Sequence, residues 1–217
     1  RYLNLIGGCS VSKNTYSLAA GEVIVPHVLG SAKYIYEATS WQSIIDNTEL
    51  LVAFGGLPLK NSHIGQGGVG SHRTKEALHN ARKAGVEFIN ISPLKNDISK
   101  NLESSWIKIV PSSDTALMLG LAYVLIVEEK HDVEFLKHYT VGFEYFENYV
   151  LGKNDNVAKT PEWSEKICGV AAFTIIELAH KMAKKRTMIS VAWALTRQDH
   201  GEQPFWLATV LASMLGQ

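Results

Sequence analysis

Four short runs of apolar and β-branched residues punctuate the chain: Leu50 to Phe54, Val86 to Ile91, Trp106 to Val110 and Met188 to Trp193. Each is closed by glycine, proline or polar residues, which predicts strands. Between or after them lie helical patterns, over about Thr74 to Lys83, Asp114 to Glu129, Phe173 to Lys184 and Glu202 to Leu215. Asp114 follows Ser112-Ser113 as a first-turn acid, and Thr160-Pro161 offers a cap followed by proline at the first helical position. Alternation of strands and helices predicts the α/β class: a mostly parallel sheet with helices on both faces and right-handed crossovers. Residues 131 to 170 are rich in aromatics and charges and lack a strand pattern, so they read as a small helical insertion before the last strand. Residues 1 to 30 carry a helix of their own and read as the end of a neighbouring discontinuous domain, with 31 to 217 as the α/β domain.

Composition narrows the class of partner. The 217 residues are 46% apolar, enough for a sizeable core. Lys plus Arg and Asp plus Glu number 21 each, so no overall field favours nucleic acid or an anionic membrane, and small molecules are the expected partners. The basic cluster Lys181, Lys184, Lys185, Arg186 falls at a predicted helix end, where cations complement the dipole. Cys9 and Cys168 stand far apart with no C-x-x-C partner, which points to neither a disulfide framework nor a zinc site. The longest apolar run, Ala116 to Val127, is shorter than the roughly 20 residues of a membrane span and is flanked by acids, so it reads as a buried helix. The chain opens at Arg1 without a signal pattern and is expected to be an internal piece of something longer.

In open α/β sheets ligands bind beyond the carboxyl ends of the strands, so the four strand exits are where function is sought. They are Gly55-Gly56-Leu57-Pro58-Leu59-Lys60, Ser92-Pro93-Leu94-Lys95, Pro111-Ser112-Ser113-Asp114 and Ala194-Leu195-Thr196-Arg197-Gln198-Asp199-His200. Glycine and proline let backbone approach a ligand, Ser, Thr and Asp offer hydrogen bonds, and Lys60 and Arg197 can hold phosphates. Each exit alone is also an ordinary turn, but the four together suit a nucleotide. Gly65 to Gly70 matches G-x-G-x-x-G, the mark of an NAD(P)-dependent dehydrogenase, yet Gly65 lies about ten residues past Phe54 and Glu87 begins the next strand instead of ending it. That stretch reads as a flexible loop. The eight histidines form no metal-ligand spacing; His200, beside Arg197 in a polar exit, is the one singled out. Ser17, before Leu18-Ala19-Ala20, reads locally first as a helix N-cap, with a serine oxygen able to bind a metal as the second reading.

Tyr16-Ser17 followed by Ala19-Ala20, Val23-Ile24 and Pro26 resembles the metal-ligand segment of the molybdenum S-oxide and N-oxide reductases, the family of dimethyl sulfoxide, trimethylamine N-oxide and biotin sulfoxide reductases. Asn47 to Val52, Lys60 with Ile64-Gly65, Met118-Leu119-Gly120, Lys185 to Met188 and Arg197 through Gln203 continue the likeness end to end. The chain departs from the family at Leu57, where an acid is common, and at Ser92, where Asp or Asn is common.

The resemblance implies a Rossmann-like cofactor-binding domain of a multidomain enzyme. It implies molybdenum held by bis(molybdopterin guanine dinucleotide) and by the Ser17 oxygen, a hard donor suited to a high-valent metal. Lys60, Ser92, Pro93, Ser112, Asp114, Trp193, Arg197 and His200 would hold the nucleotide ends. The implied reaction is oxygen-atom transfer from an S-oxide or N-oxide, fed by an electron donor such as a c-type cytochrome, with periplasmic export in many members and a cytoplasmic site for some biotin sulfoxide reductases. With half of the cofactor cradle outside the chain, the piece alone is expected to be inactive. Two other classes stay open from the residues themselves: an NAD(P)-dependent dehydrogenase and a non-catalytic α/β interaction domain.

Overall fold

The computed structural model describes residues 2–10, 15, 17–37, 39–62, 64–65, 68–69 and 72–217. In chain order the helices are α1 Tyr2–Leu5, α2 Ala19–Leu29, α3 Lys33–Tyr36, α4 Trp41–Asn47, α5 Thr74–Lys83, α6 Asp114–Val127, α7 Val133–Tyr139, α8 Phe143–Val150, α9 Pro161–Cys168, α10 Ala172–Lys184 and α11 Gln203–Met214. The strands are β1 Leu50–Phe54, β2 Ile64–Gly65, β3 Gly68–Val69, β4 Glu87–Ile91, β5 Ser105–Ile107 and β6 Thr187–Val191. β1, β4, β5 and β6 form one parallel sheet in the order β5-β4-β1-β6. β2 and β3 make a two-residue antiparallel pair inside the stretch expected to be a flexible loop, while Gln66, Gly67 and Gly70 of its glycine motif lie outside the described residues.

Continuous apolar composition gives β1 its place. All five of its residues are buried, as a central parallel strand covered on both faces requires. Alternate residues serve opposite cores. Leu50, Val52 and Phe54 join the core built on α6, α10 and α11, whereas Leu51 and Ala53 join the core built on α4 and α5. α6 is apolar around most of its circumference, and Leu117, Met118, Leu121 and Leu125 are fully enclosed. Each such side chain contributes about 1.5–3 kcal/mol on burial.

Boundaries moved where tertiary bonds competed. The third strand ends at Ile107, short of the expected Val110, because the Val110 N–H leaves the sheet and donates to Cys168 O at 2.9 Å. The fourth stops at Val191, and Trp193 begins a 3₁₀ turn through Thr196. Residues 131 to 170 contain the short helices α7, α8 and α9. Thr160 caps α9 by accepting from Trp163 N at 3.2 Å, with Pro161 at the first helical position. Within this segment Lys159 is 2% exposed, its ammonium 2.6 Å from Asp155 and 4.2 Å over the Tyr149 ring. Ser17 is not a cap. The N-cap position of α2 belongs to Leu18, and no side chain bonds the helix start.

Candidate functional site

Strand order reverses between β1 and β6: the connection from β1 runs to one side and β6 sits on the other. That topological switch point opens a crevice at the carboxyl ends of the two strands. The backbone there is packed tightly. Gly55 and Gly56 have φ of +81° and +80°, and a Cβ on Gly55 would lie 2.5 Å from Leu195 Cδ1 and 2.7 Å from Ala192 Cβ. A Cβ on Gly56 would lie 2.5 Å from Asp97 O. Only glycine lets the exits of β1, β4 and β6 converge this closely.

The β6 exit also gathers the amino-terminal segment. Thr196 Oγ1 donates to Ser17 O at 3.2 Å and to Trp193 O at 2.8 Å, a contact across 179 positions of sequence for the first of these. The Trp193 ring stacks on Phe205 of α11, centroids 5.6 Å apart at 20°, and closes over Gly21 of α2. Thr15, Ala19 and Ala20, which flank Ser17, share a cleft of about 500 Å³ with Thr196, Arg197 and Asp199. Ser17 itself is exposed beside it. The segment around Ser17 and the β6 exit therefore meet through Thr196, with Arg197 in the cleft between them.

A larger cavity of about 680 Å³ joins the third and fourth exits, Ser112 and Thr115 on one side and Gln198 and His200 on the other. Tyr145, Phe146, Tyr149 and Trp206 wall it with aromatic surface. The aromatic richness of residues 131 to 170 is the only sequence signal for Tyr145, Phe146 and Tyr149, and Trp206 carries none beyond the apolar pattern of its helix. Ser112 and His200 are both exposed and both hold positive φ, 64° and 53°. The His200 imidazole faces Glu202 Oε1 at 3.3 Å.

Asp114 opens α6, next in sequence to Thr115 of the cavity wall, and is 5% exposed. Burial raises its carboxyl pKa from 3.8 to about 6, against a smaller lowering by its own backbone N–H. Among the described residues it has no cation partner, nor do Lys60 and Arg197 have an acidic one. Lys60, in the 3₁₀ turn Leu59–Ser62 after β1, is exposed, as is Arg197.

Ser92 stands differently. It is 1% exposed, its hydroxyl donates to Asp97 Oδ2 at 2.6 Å and accepts from Leu94 N at 3.2 Å, and its carbonyl accepts from Trp106 Nε1 at 2.9 Å. Its hydroxyl is thus committed to bracing the β4 exit, with Pro93 partly exposed beside it. Just below, Asn90 Oδ1 is buried with no partner among the described residues. Glu87, the acid an NAD reading would need at the nucleotide ribose, begins β4 at the opposite end of the sheet and pairs with Lys181 and Lys185. Those cations hold its carboxyl down at about 2.

This donor set fits a nucleotide-bearing cofactor: two unpaired surface cations at the exits flanking the switch point, a desolvated carboxylate acceptor and an aromatic-walled cavity. Among the described residues no group of three or more His, Cys, Asp or Glu side chains is placed to hold a metal ion.

Comparison with known proteins identifies the family. The molybdopterin oxidoreductase family model matches residues 1–217. The chain is 42% identical over 217 residues to a trimethylamine-N-oxide reductase of Haemophilus influenzae, covering all of this chain and 26% of that protein. It is 37% identical to a dimethyl sulfoxide/trimethylamine N-oxide reductase of Cereibacter sphaeroides, covering 26% of it, and 39% identical to a biotin sulfoxide reductase of the same organism, covering 29%. The chain thus spans about a quarter of the length of these relatives. Acetylene hydratase from Pelobacter acetylenicus superposes with a TM-score of 0.71 over all of this chain and 27% of its own, at 23% identity, which speaks to the fold. The chain belongs to the molybdopterin oxidoreductase family.

Proposed function

We propose that the full-length protein is a molybdenum-dependent reductase of S-oxides or N-oxides, and that this chain supplies one protein ligand to the metal and one half of the cofactor cradle. The observation that carries the reading is the tie between Ser17 and the β6 exit, where Thr196 holds the Ser17 carbonyl next to Arg197. That tie uses backbone, so the Ser17 hydroxyl is left exposed as a donor. Relatives named as trimethylamine N-oxide, dimethyl sulfoxide and biotin sulfoxide reductases support the substrate class. Molybdenum on bis(molybdopterin guanine dinucleotide) supplies the two-electron oxygen-atom transfer.

The protein's part is binding and orientation. Arg197 and Lys60 neutralise phosphate oxygens at the two exits flanking the switch point. Asp114, at the start of α6, accepts N–H groups of a guanine, with Ser112 and His200 as further polar contacts in the neighbouring cavity. Pro93 shapes the β4 exit, and Ser92 acts through the loop it braces. Trp193, stacked on Phe205 and 39% exposed, presents its remaining surface to the cofactor. Residues 1–30 belong to a neighbouring domain that docks through α2, and 31–217 form the cofactor domain. The electron donor is a c-type cytochrome or similar reductant, and the site of action the periplasm.

The test is Ser17→Ala in the full-length protein. Because Thr196 bonds the Ser17 carbonyl, the backbone stays in place and only the oxygen donor goes. The variant should retain its pterin, lose most turnover with trimethylamine N-oxide and dimethyl sulfoxide, and show an altered molybdenum coordination spectrum. Unchanged turnover would refute the ligand assignment.

A further inference from the structure

Among the described residues Lys159 is the one lysine or arginine that the fold buries. The chain leaves α8 through Gly152, at φ +75°, where a Cβ would collide with Ala158 N, so the loop that follows is pinched shut at its base. Inside it Val157 N donates to Asp155 Oδ1 at 3.0 Å, and at its end Lys159 N donates to Val150 O at 2.9 Å. The Lys159 side chain folds into this loop. Its ammonium donates to Asp155 Oδ2 at 2.6 Å and to the Val157 carbonyl, and lies 4.2 Å from the Tyr149 ring centroid and 5.7 Å from that of Trp163. An ammonium taken out of water is costly, so it holds in place the groups that compensate it. Two of those groups are rings, which keep their faces toward the cation.

Tyr149 belongs to two environments at once. Lys159 stands over its ring, yet Lys159 does not line the cavity of about 680 Å³ that Tyr149 helps to wall. The surface that Tyr149 gives the cavity is therefore not the face that the ammonium covers, and the ring is held from behind. Tyr145 lies one turn earlier on α8 and Phe146 beside it, and both share that wall. α8 has only eight residues and no side-chain cap at its Gly142 start. A helix of that length is marginal alone, so its orientation must come from what it packs against. At its carboxyl end that role falls to the Lys159 clamp, which fixes Tyr149 and with it the rotation of the helix.

We propose that Lys159 is a positioning residue for this cavity: its ammonium clamps Tyr149 and so sets the aromatic wall against which a purine base stacks. A tyrosine fixed in this way meets the π face of a base without having to be ordered first. Lys159 touches no ligand and acts through Tyr149. The inference rests on the reading of the cavity as the place of a nucleotide end.

Calorimetric binding of guanosine diphosphate to the cofactor-free full-length protein tests it in a double-mutant cycle. Tyr149→Ala should weaken binding about tenfold or more, the scale of one lost base–aromatic stack. Lys159→Met should weaken it about threefold or more in the parent and leave it unchanged in Tyr149→Ala, where nothing is left to position. Thermal midpoints taken alongside separate this from loss of fold, since a lysine that only stabilises its loop lowers the midpoint and leaves the affinity of the folded protein alone. Lys159→Met binding as tightly as the parent, or losing as much affinity in Tyr149→Ala as in the parent, would overturn the proposal. A parent that does not bind guanosine diphosphate, or Tyr149→Ala binding it as the parent does, would instead sink the reading of the cavity, and this proposal with it. Where Lys159→Met does not fold, Asp155→Asn takes its place in the cycle with the same outcomes, because it loosens the ammonium by a change at a side chain that is 40% exposed.

Discussion

Replacing Asp114 with asparagine should push stability and cofactor retention in opposite directions. Asp114 is 5% exposed, and its pKa rises from 3.8 to about 6 because burial penalises the charged form. A carboxyl whose folded pKa lies above its unfolded one holds its proton more tightly in the folded state. Stability is therefore greatest below the unfolded value and falls as pH climbs through the window from 3.8 to about 6. At 1.36 kcal/mol per unit the cost at pH 7 is about 3 kcal/mol. Asparagine escapes that cost but forfeits roughly 0.3–1 kcal/mol of favourable charge at the start of α6. The cofactor-free full-length protein should then gain about 2 kcal/mol at pH 7 and nothing at pH 4. Molybdenum content after purification should fall, because one carboxylate oxygen proposed to accept guanine N–H groups becomes a donor. Thermal melts of the cofactor-free protein at the two pH values, with metal analysis of the loaded enzyme, read both arms. A variant less stable than the parent at pH 7 would refute the desolvation argument, and one with full molybdenum content would remove Asp114 from the cradle.

Other perturbations follow from the geometry. Gly55→Ala places a methyl 2.5 Å from Leu195 and 2.7 Å from Ala192 at φ +81°, so backbone strain and overpacking together should cost about 2–5 kcal/mol and loosen the cofactor, measured as a lower thermal midpoint and lower metal content. Asp155→Ala leaves the buried Lys159 ammonium with only the Val157 carbonyl and the faces of Tyr149 and Trp163, and should lower the urea midpoint by more than Lys159→Met does. Lys159→Met removes the charge instead and should cost less than about 1.5 kcal/mol; the reverse ranking would show that the side chain's packing, not its ion pair, holds the segment.

The strands and principal helices were legible because their signals are local. Leu50–Phe54 and Thr74–Lys83 begin and end where apolar runs and turn formers place them, and Thr160 caps α9 through a bond to a residue three positions on. Failures came where a distant partner decided. Ser17 has the right residue type for a cap, yet Leu18 takes that position, and what pins Ser17 is a threonine far along the chain. Ser92, expected to face the nucleotide, has its hydroxyl bonded to Asp97 and Leu94, partners that no local pattern announces. The third strand lost its end when Val110 found a partner on Cys168.

By itself, then, the sequence determined the α/β class, the order of its elements and the four exits where a nucleotide would sit, since each depends on periodicity and turn chemistry within a few residues. Tertiary structure alone decided the strand order, and with it the switch point between β1 and β6, the tie of Ser17 to Thr196 beside Arg197, and the aromatic wall that α8 and α11 give to Ser112 and His200. Those contacts span tens to nearly two hundred positions, and no local pattern encodes them. They are fixed by which faces must be buried together and by the hand of the crossovers that bury them.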